Sequence, residues 1–319
     1  MNANGLYNGL DAGAAMGVYD GTDGGARAGL VGNDVNPKLY IIDAAKNEVI
    51  VAYSIRKLSN SYTGPCIRVR RSSDNTELDI GFDKYGELDE SSLLGFLNNS
   101  DGFVSVWYDQ SGRSRNISQS TTTQQPRIAS SGVIVKEKGK PIINFDGVDD
   151  LLFNNSIASQ FIGTNISKSF ICVHKFNAVT AGAVIVSIGA PANSPIIYFG
   201  LNFLLSTTAY SYGNRQDAGG GAIPSVISTI GANTTSLRML NAYQFGSFAN
   251  LIVDNVYAAN GDISTGVMTP TQFGVGGLYR GTLTNLANVN IHELIIYSNN
   301  QFENRSLIEN NINQYYKIY

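Results

Sequence analysis

Cysteine is almost missing from this chain: 319 residues contain two, Cys66 and Cys172. That excludes a disulfide framework, and both read as small buried hydrophobes. Histidine is as scarce. His174 and His292 lie far apart in apolar runs, with no Cys or acidic partner at ligand spacing, so no zinc site is expected. No Gly-x-Ser-x-Gly elbow occurs, and Ala218-Gly219-Gly220-Gly221 lacks the Lys and following helix of a phosphate-cradling loop. Charged residues make up 15% of the chain, well under the roughly 25% of ordinary soluble proteins. A net charge of −3 with 43% hydrophobic residues excludes disorder for most of the length. No apolar run approaches the roughly 18–20 residues that span a bilayer, so no membrane is expected as a partner. A pI near 5.4 without a long basic stretch argues against nucleic acid. Met1-Asn2-Ala3-Asn4-Gly5-Leu6-Tyr7 has neither the charged start nor the apolar stretch of a secretion signal. Synthesis in the cytoplasm, and residence there or in an assembly, is the expectation.

What is present divides unevenly. Residues 1–37 carry Gly5, Gly9, Gly13, Gly17, Gly21, Gly24, Gly25, Gly29 and Gly32 with few large apolar side chains between them. Such a segment cannot bury a core alone and is expected to be an extended arm that orders against a partner. From residue 38 the pattern is that of a folded domain. Tyr40 to Leu58 reads as a helix or an extended lead-in. Ile67-Arg68-Val69-Arg70 and Phe103-Val104-Ser105-Val106-Trp107-Tyr108 read as strands, and Asp89 to Phe96 as a short helix. Past residue 150, short apolar runs recur between Gly, Asn, Ser and Pro. Strands are expected near 169–176, 183–188, 195–201, 207–212, 226–232, 236–243, 249–257, 272–276 and 289–297, with a terminal helix over 301–316. That spacing signals a β-sandwich or barrel. Only 6 of the 25 acidic and 7 of the 22 basic residues fall after position 150. The surface there is therefore built from Ser, Thr, Asn, Gln, Gly and Tyr, which suits glycan contact or tight protein packing.

A series of motifs carries a resemblance. It runs through Ala52-Tyr53-Ser54-Ile55-Arg56-Lys57-Leu58, Tyr62-Thr63-Gly64-Pro65, Ile67 to Asn75 and Trp107-Tyr108-Asp109-Gln110-Ser111-Gly112. It continues with Gln125-Pro126-Arg127-Ile128, Gly139-Lys140-Pro141 and Phe145-Asp146-Gly147-Val148-Asp149-Asp150. Together these resemble the catalytic-type domain of α-L-arabinofuranosidase B, a concanavalin A-like jelly roll, while His292 to Tyr297 and the following helix resemble laminin-G-like members of that fold. The resemblance implies a mainly β jelly-roll sandwich over residues 38–319, with a few short helices and a C-terminal helix. In that family a Glu nucleophile lies in an Asp-x-Glu-Asn segment and an acid in a Gly-Gly-Asp-Asn segment. The corresponding stretches here hold Gly200 and Asn202, and Gly276-Gly277-Leu278-Tyr279. A retaining glycosidase needs its two carboxylates, so the chain is expected to be non-catalytic.

Domains of this type also occur in bacteriophage fibre, tail and head-decoration proteins. The resulting expectation is a structural or adhesive virion component, anchored to other virion proteins through residues 1–37, homo-oligomeric, and binding host-surface polysaccharide through the sandwich. An arabinofuranosidase-like hydrolase and a free lectin are the rivals. Ligand-binding candidates are Trp107, Tyr108, Arg68 and Arg70: the aromatic pair could form a sugar platform or belong to the core. The basic group Arg56, Lys57, Arg68, Arg70 and Arg71 could bind an anion or pair internally with Asp74, Glu77, Asp79 and Asp109. Asp146, Asp149 and Asp150 could ligate Ca²⁺ or simply shape a turn, and Asp20-Gly21-Thr22-Asp23-Gly24 is a fainter version of the same pattern. No other cofactor is expected.

Overall fold

Apolar residues that alternate with polar ones every second position bury one face of a strand, and unbroken apolar runs bury both. The computed structural model, which describes residues 40–164, 166–191, 196–201, 208–215, 225–263 and 267–319, contains both kinds. Its longer strands are β1 (Val49–Ser54), β2 (Ile67–Arg71), β3 (Glu77–Ile80), β4 (Gly102–Trp107), β5 (Arg127–Ser130) and β6 (Ile143–Asp146). There follow β7 (Lys168–Phe176), β8 (Val184–Gly189), β9 (Ile196–Leu201), β10 (Ala209–Arg215), β11 (Ser225–Gly231) and β12 (Arg238–Phe245). The last are β13 (Phe248–Val253), β14 (Val256–Asp262), β15 (Gln272–Val275) and β16 (Asn288–Tyr297). Two α-helices, α1 (Glu90–Leu97) and α2 (Arg305–Tyr316), complete the list of longer elements.

All these strands pair antiparallel. One sheet runs β14–β13–β12–β7–β16, and the far side of β16 is shared by β6 at its start and β1 at its end. The other runs β11–β10–β9–β8–β15 and continues through Leu152–Phe153 and Ile117–Ser118 to β4, β2 and β3. Strand β5 pairs with both β4 and β6 and so stitches the sheets along one edge. Between the sheets lies an aromatic core. Phe170 on β7 meets Phe199 on β9 at 5.5 Å and Tyr212 on β10 at 5.4 Å between ring centroids.

Strand β7 is buried on both faces. Phe170 and Cys172 point into the inter-sheet core, while Ile171 and Val173 join Ile295, Tyr297, Ile308, Ile312 and Tyr316 in a second cluster beneath α2. The mainly β sandwich with short helices and a C-terminal helix is thus what the chain forms. Both cysteines are buried and free, as expected. Tyr40 to Leu58 resolves into a 3-10 helix at Asp43–Glu48 followed by β1, so the segment is mixed where a single element was expected. Residues 1–37, with Asp20 and Asp23, lie outside the described residues. Among those described, no helix is long and apolar enough to cross a membrane.

Candidate functional site

A groove of about 550 Å³ opens where β5 joins the two sheets, and Arg70, Phe103, Thr122, Thr123, Gln125, Arg127, Asn144, Asp146 and Asp150 line it. Arg70, Phe103, Arg127, Asn144 and Asp146 come to it on strands, Thr122 and Thr123 on a 3-10 helix at Thr122–Gln124, and Gln125 and Asp150 on the connections that follow. Arg127 stands opposite Phe103 on one side and Asn144 on the other. The guanidinium of Arg70 lies 4.8 Å from the Phe103 ring centroid and that of Arg127 lies 5.2 Å from it, so the ring is held between two cations. Arg70 is buried and donates to Gln125 Oε1 (2.6 Å), Asn75 Oδ1 (2.9 Å) and the Thr122 carbonyl (3.1 Å). Its hydrogen bonds are spent on fixing the groove wall rather than on a mobile anion.

The acidic end of the groove is the turn that follows β6. Asp146 Oδ1 accepts the backbone N–H of Val148 (2.7 Å), and Asp150 Oδ2 accepts that of Asp146 (2.8 Å). Asp150 is buried, and desolvation, with smaller contributions from Asp146 and Asp149, raises its pKa to about 7. Asp146 is exposed. One oxygen from each of Asp146, Asp149 and Asp150 lies within 4.8 Å of the others. Two chemistries fit that arrangement. A carboxyl still protonated near neutrality beside an exposed carboxylate is an acid–base pair. Three carboxylate oxygens are also part of the donor set that Ca²⁺ takes.

The other sequence candidates scatter. Trp107 is fully buried in the core, 5.6 Å from Tyr53, and is not a surface platform. Arg68 forms a two-pronged ion pair with Asp79 (2.7 and 2.9 Å), and the Tyr108 hydroxyl donates to the same Asp79 (2.6 Å), outside this groove. Arg71 pairs with Asp74, and Arg56 with Glu293. Asp109 is buried and receives the backbone N–H of Ala52, Ser111 and Arg115, which makes it a turn closer. Of the acids past residue 150, Glu293 and Glu309 are buried and hydrogen-bonded, and Asp254 is bound to Arg238. Asn202 and Asp217 lie outside the described residues.

Leu278 is buried against Val184, Ile196 and Tyr198. Just before it, Gly276 runs so close to the β6 turn that an added Cβ would stand 2.5 Å from the Phe145 ring and 2.9 Å from the Asp150 carbonyl. The segment where the resemblance puts the family's acid therefore abuts the turn that carries Asp150. Phe103, Thr122, Thr123, Gln125, Arg127 and Asn144 were not singled out from sequence. Their signal was membership of, or nearness to, the motif run.

A jelly-roll sandwich with a polar, carboxylate-bearing groove is the class that fold and site define. The model of the catalytic domain of α-L-arabinofuranosidase B matches residues 40–143. Among solved structures, a GH54 α-L-arabinofuranosidase soaked with a cyclic sulfate inhibitor superimposes with a TM-score of 0.60 at 16% identity, over 86% of this chain and 64% of that one. An arabinofuranosidase complexed with arabinofuranosyl-α-1,2-xylobiose gives 0.58, at the same identity and coverage. The chain thus spans less than two thirds of the length of these neighbours. No curated protein matches it in sequence.

These matches correct the expectation of a non-catalytic virion component, together with its phage setting and virion localisation. They point to an arabinofuranosidase-like glycoside hydrolase fold, and none of them points to a virion. The expectation rested on two segments that lack acids, whereas the described groove receives its carboxylates from a different turn.

Proposed function

We propose that the chain is a glycoside hydrolase domain of the arabinofuranosidase kind, acting through the groove beside β5. The observation that carries this reading is the Asp146–Asp150 pair. Asp150, protonated up to about pH 7, donates its proton to the leaving glycosidic oxygen while Asp146 attacks the anomeric carbon to form a glycosyl ester. Asp150, now a carboxylate, takes a proton from the water that hydrolyses that ester and so frees Asp146. One oxygen of each aspartate lies within 4.8 Å of the other, short of the roughly 6.5–9.5 Å at which inverting enzymes seat a water between their carboxyl groups. Retention is the expected stereochemistry. The place of both residues in the groove lining supports the assignment, because it gives the groove two carboxyl groups from one turn.

Incubation of the chain with 4-nitrophenyl α-L-arabinofuranoside tests the reading. Release of nitrophenol is expected, with Asp150→Asn and Asp146→Asn each reducing it by about 10²-fold or more, the scale of general acid–base catalysis. Absence of release from the unmodified chain, or full activity in both variants, overturns the proposal.

A further inference from the structure

A second cleft, of about 450 Å³, lies apart from the carboxylate groove, and Tyr40, Lys57, Tyr62, Phe82, Lys84, Asp79 and Asp83 contribute to its lining. Its volume is that of a ligand pocket, typically 300–1,000 Å³. Tyr62 and Phe82 are half-buried and meet edge to face, with centroids 6.4 Å apart. The Tyr62 hydroxyl donates to the Pro65 carbonyl (2.7 Å), and its ring lies so close to Gly64 that an added Cβ there would stand 2.5 Å from the hydroxyl oxygen. The aromatic wall is therefore preorganised.

Charge in the cleft is asymmetric. Both carboxylates are committed to the protein: Asp79 to Arg68 and Tyr108, and Asp83 Oδ1 to the backbone N–H of Tyr85 (2.8 Å) and Glu87 (2.9 Å). The two ammonium groups are not so committed. Lys57 lies 5.8 Å from the centroid of the Tyr40 ring and Lys84 lies 4.9 Å from that of Tyr85, and among the described residues neither forms an ion pair with a carboxylate.

We infer that this cleft binds an oligosaccharide bearing a carboxylate, a uronic acid unit, with a sugar face against Tyr62 and Phe82 and the acid group toward Lys57 and Lys84. Aromatic walls take the apolar face of a pyranose, and the lysines supply the counter-charge that a neutral sugar leaves unused. The site is independent of hydrolysis in the carboxylate groove.

Titration calorimetry of the full chain with a xylo-oligosaccharide carrying a glucuronic acid branch, and with its carboxyl-reduced counterpart, tests the inference. Saturable binding of the acidic sugar is expected, with the reduced sugar at least about tenfold weaker and the gap narrowing as salt screens the charges. Lys57→Gln with Lys84→Gln should abolish the gap. Gly64→Ala, which displaces the Tyr62 ring, should weaken both ligands. Asp150→Asn should change neither, which separates this site from the hydrolytic one. Equal affinity for the two sugars, no saturable binding, retention of the gap in the lysine variant, or loss of binding in Asp150→Asn overturns it.

Discussion

Asp150 concentrates the chemistry of the groove, and its pKa also makes a statement about stability. Its folded-state value, about 7, stands above the ordinary 3.8. Between those values the folded chain holds a proton that the unfolded chain releases, so stability falls as pH rises through the window and the penalty is complete above it. Asp150→Asn keeps an oxygen for the Asp146 N–H and removes the titration. Urea unfolding of both forms from pH 4 to pH 8 is expected to show this component of the slope in the unmodified chain only; parallel curves would mean that Asp150 is ionised throughout. The two histidines act in the opposite direction. Burial lowers His174 and His292 to about 3, so they cost stability as pH falls below about 6.5, where the unfolded chain takes up protons.

Among the elements, α2 shows what a buried ion pair does. Arg56 on the segment after β1 donates to both oxygens of Glu293 on β16 (2.8 and 3.1 Å), and Tyr316 of α2 donates to Glu293 Oε2 (3.2 Å) while Tyr315 lies 4.6 Å from the Arg56 guanidinium. Their side chains are 5% and 0% exposed. Glu293→Ala leaves the cation buried without its partner and should cost about 3–5 kcal/mol. Asp79→Ala, which breaks a pair 40% exposed on both sides, should cost less than about 1 kcal/mol. Equal losses in denaturant midpoints would refute the distinction. Sequence periodicity marked most strands because each is bounded by turn residues. It merged residues 249–257 into one strand, where the chain turns at Asp254 and Asn255, both at positive φ, into the hairpin β13–β14. An Asp-Asn pair between apolar runs is itself a hairpin signal. The lead-in over Tyr40 to Leu58 stayed open between helix and extended chain for another reason: β1 is buried on both faces, which removes the alternation that marks a strand.

At the scale of the whole molecule, local pattern and long-range pairing separate what the sequence discloses from what it hides. The three aspartates at the end of β6 and in the turn after it are neighbours in the chain and could be singled out as a cluster. Arg70, Phe103 and Arg127 meet only because β2, β4 and β5 pair in that order, and no periodicity encodes that order. Where the resemblance puts the family's acids the chain has Gly200, Asn202 and Leu278, whereas the groove takes its carboxyl groups from the β6 turn, whose Asp150 carbonyl and Phe145 ring lie against Gly276. Hydrolysis in the groove therefore depends on Asp150 acting as the acid. The direct measurement is the pH dependence of kcat/KM on 4-nitrophenyl α-L-arabinofuranoside. Activity should fall as pH rises through about 7, the limb at which Asp150 loses its proton. A rate that stays level across that pH, or no turnover at any pH, would contradict it.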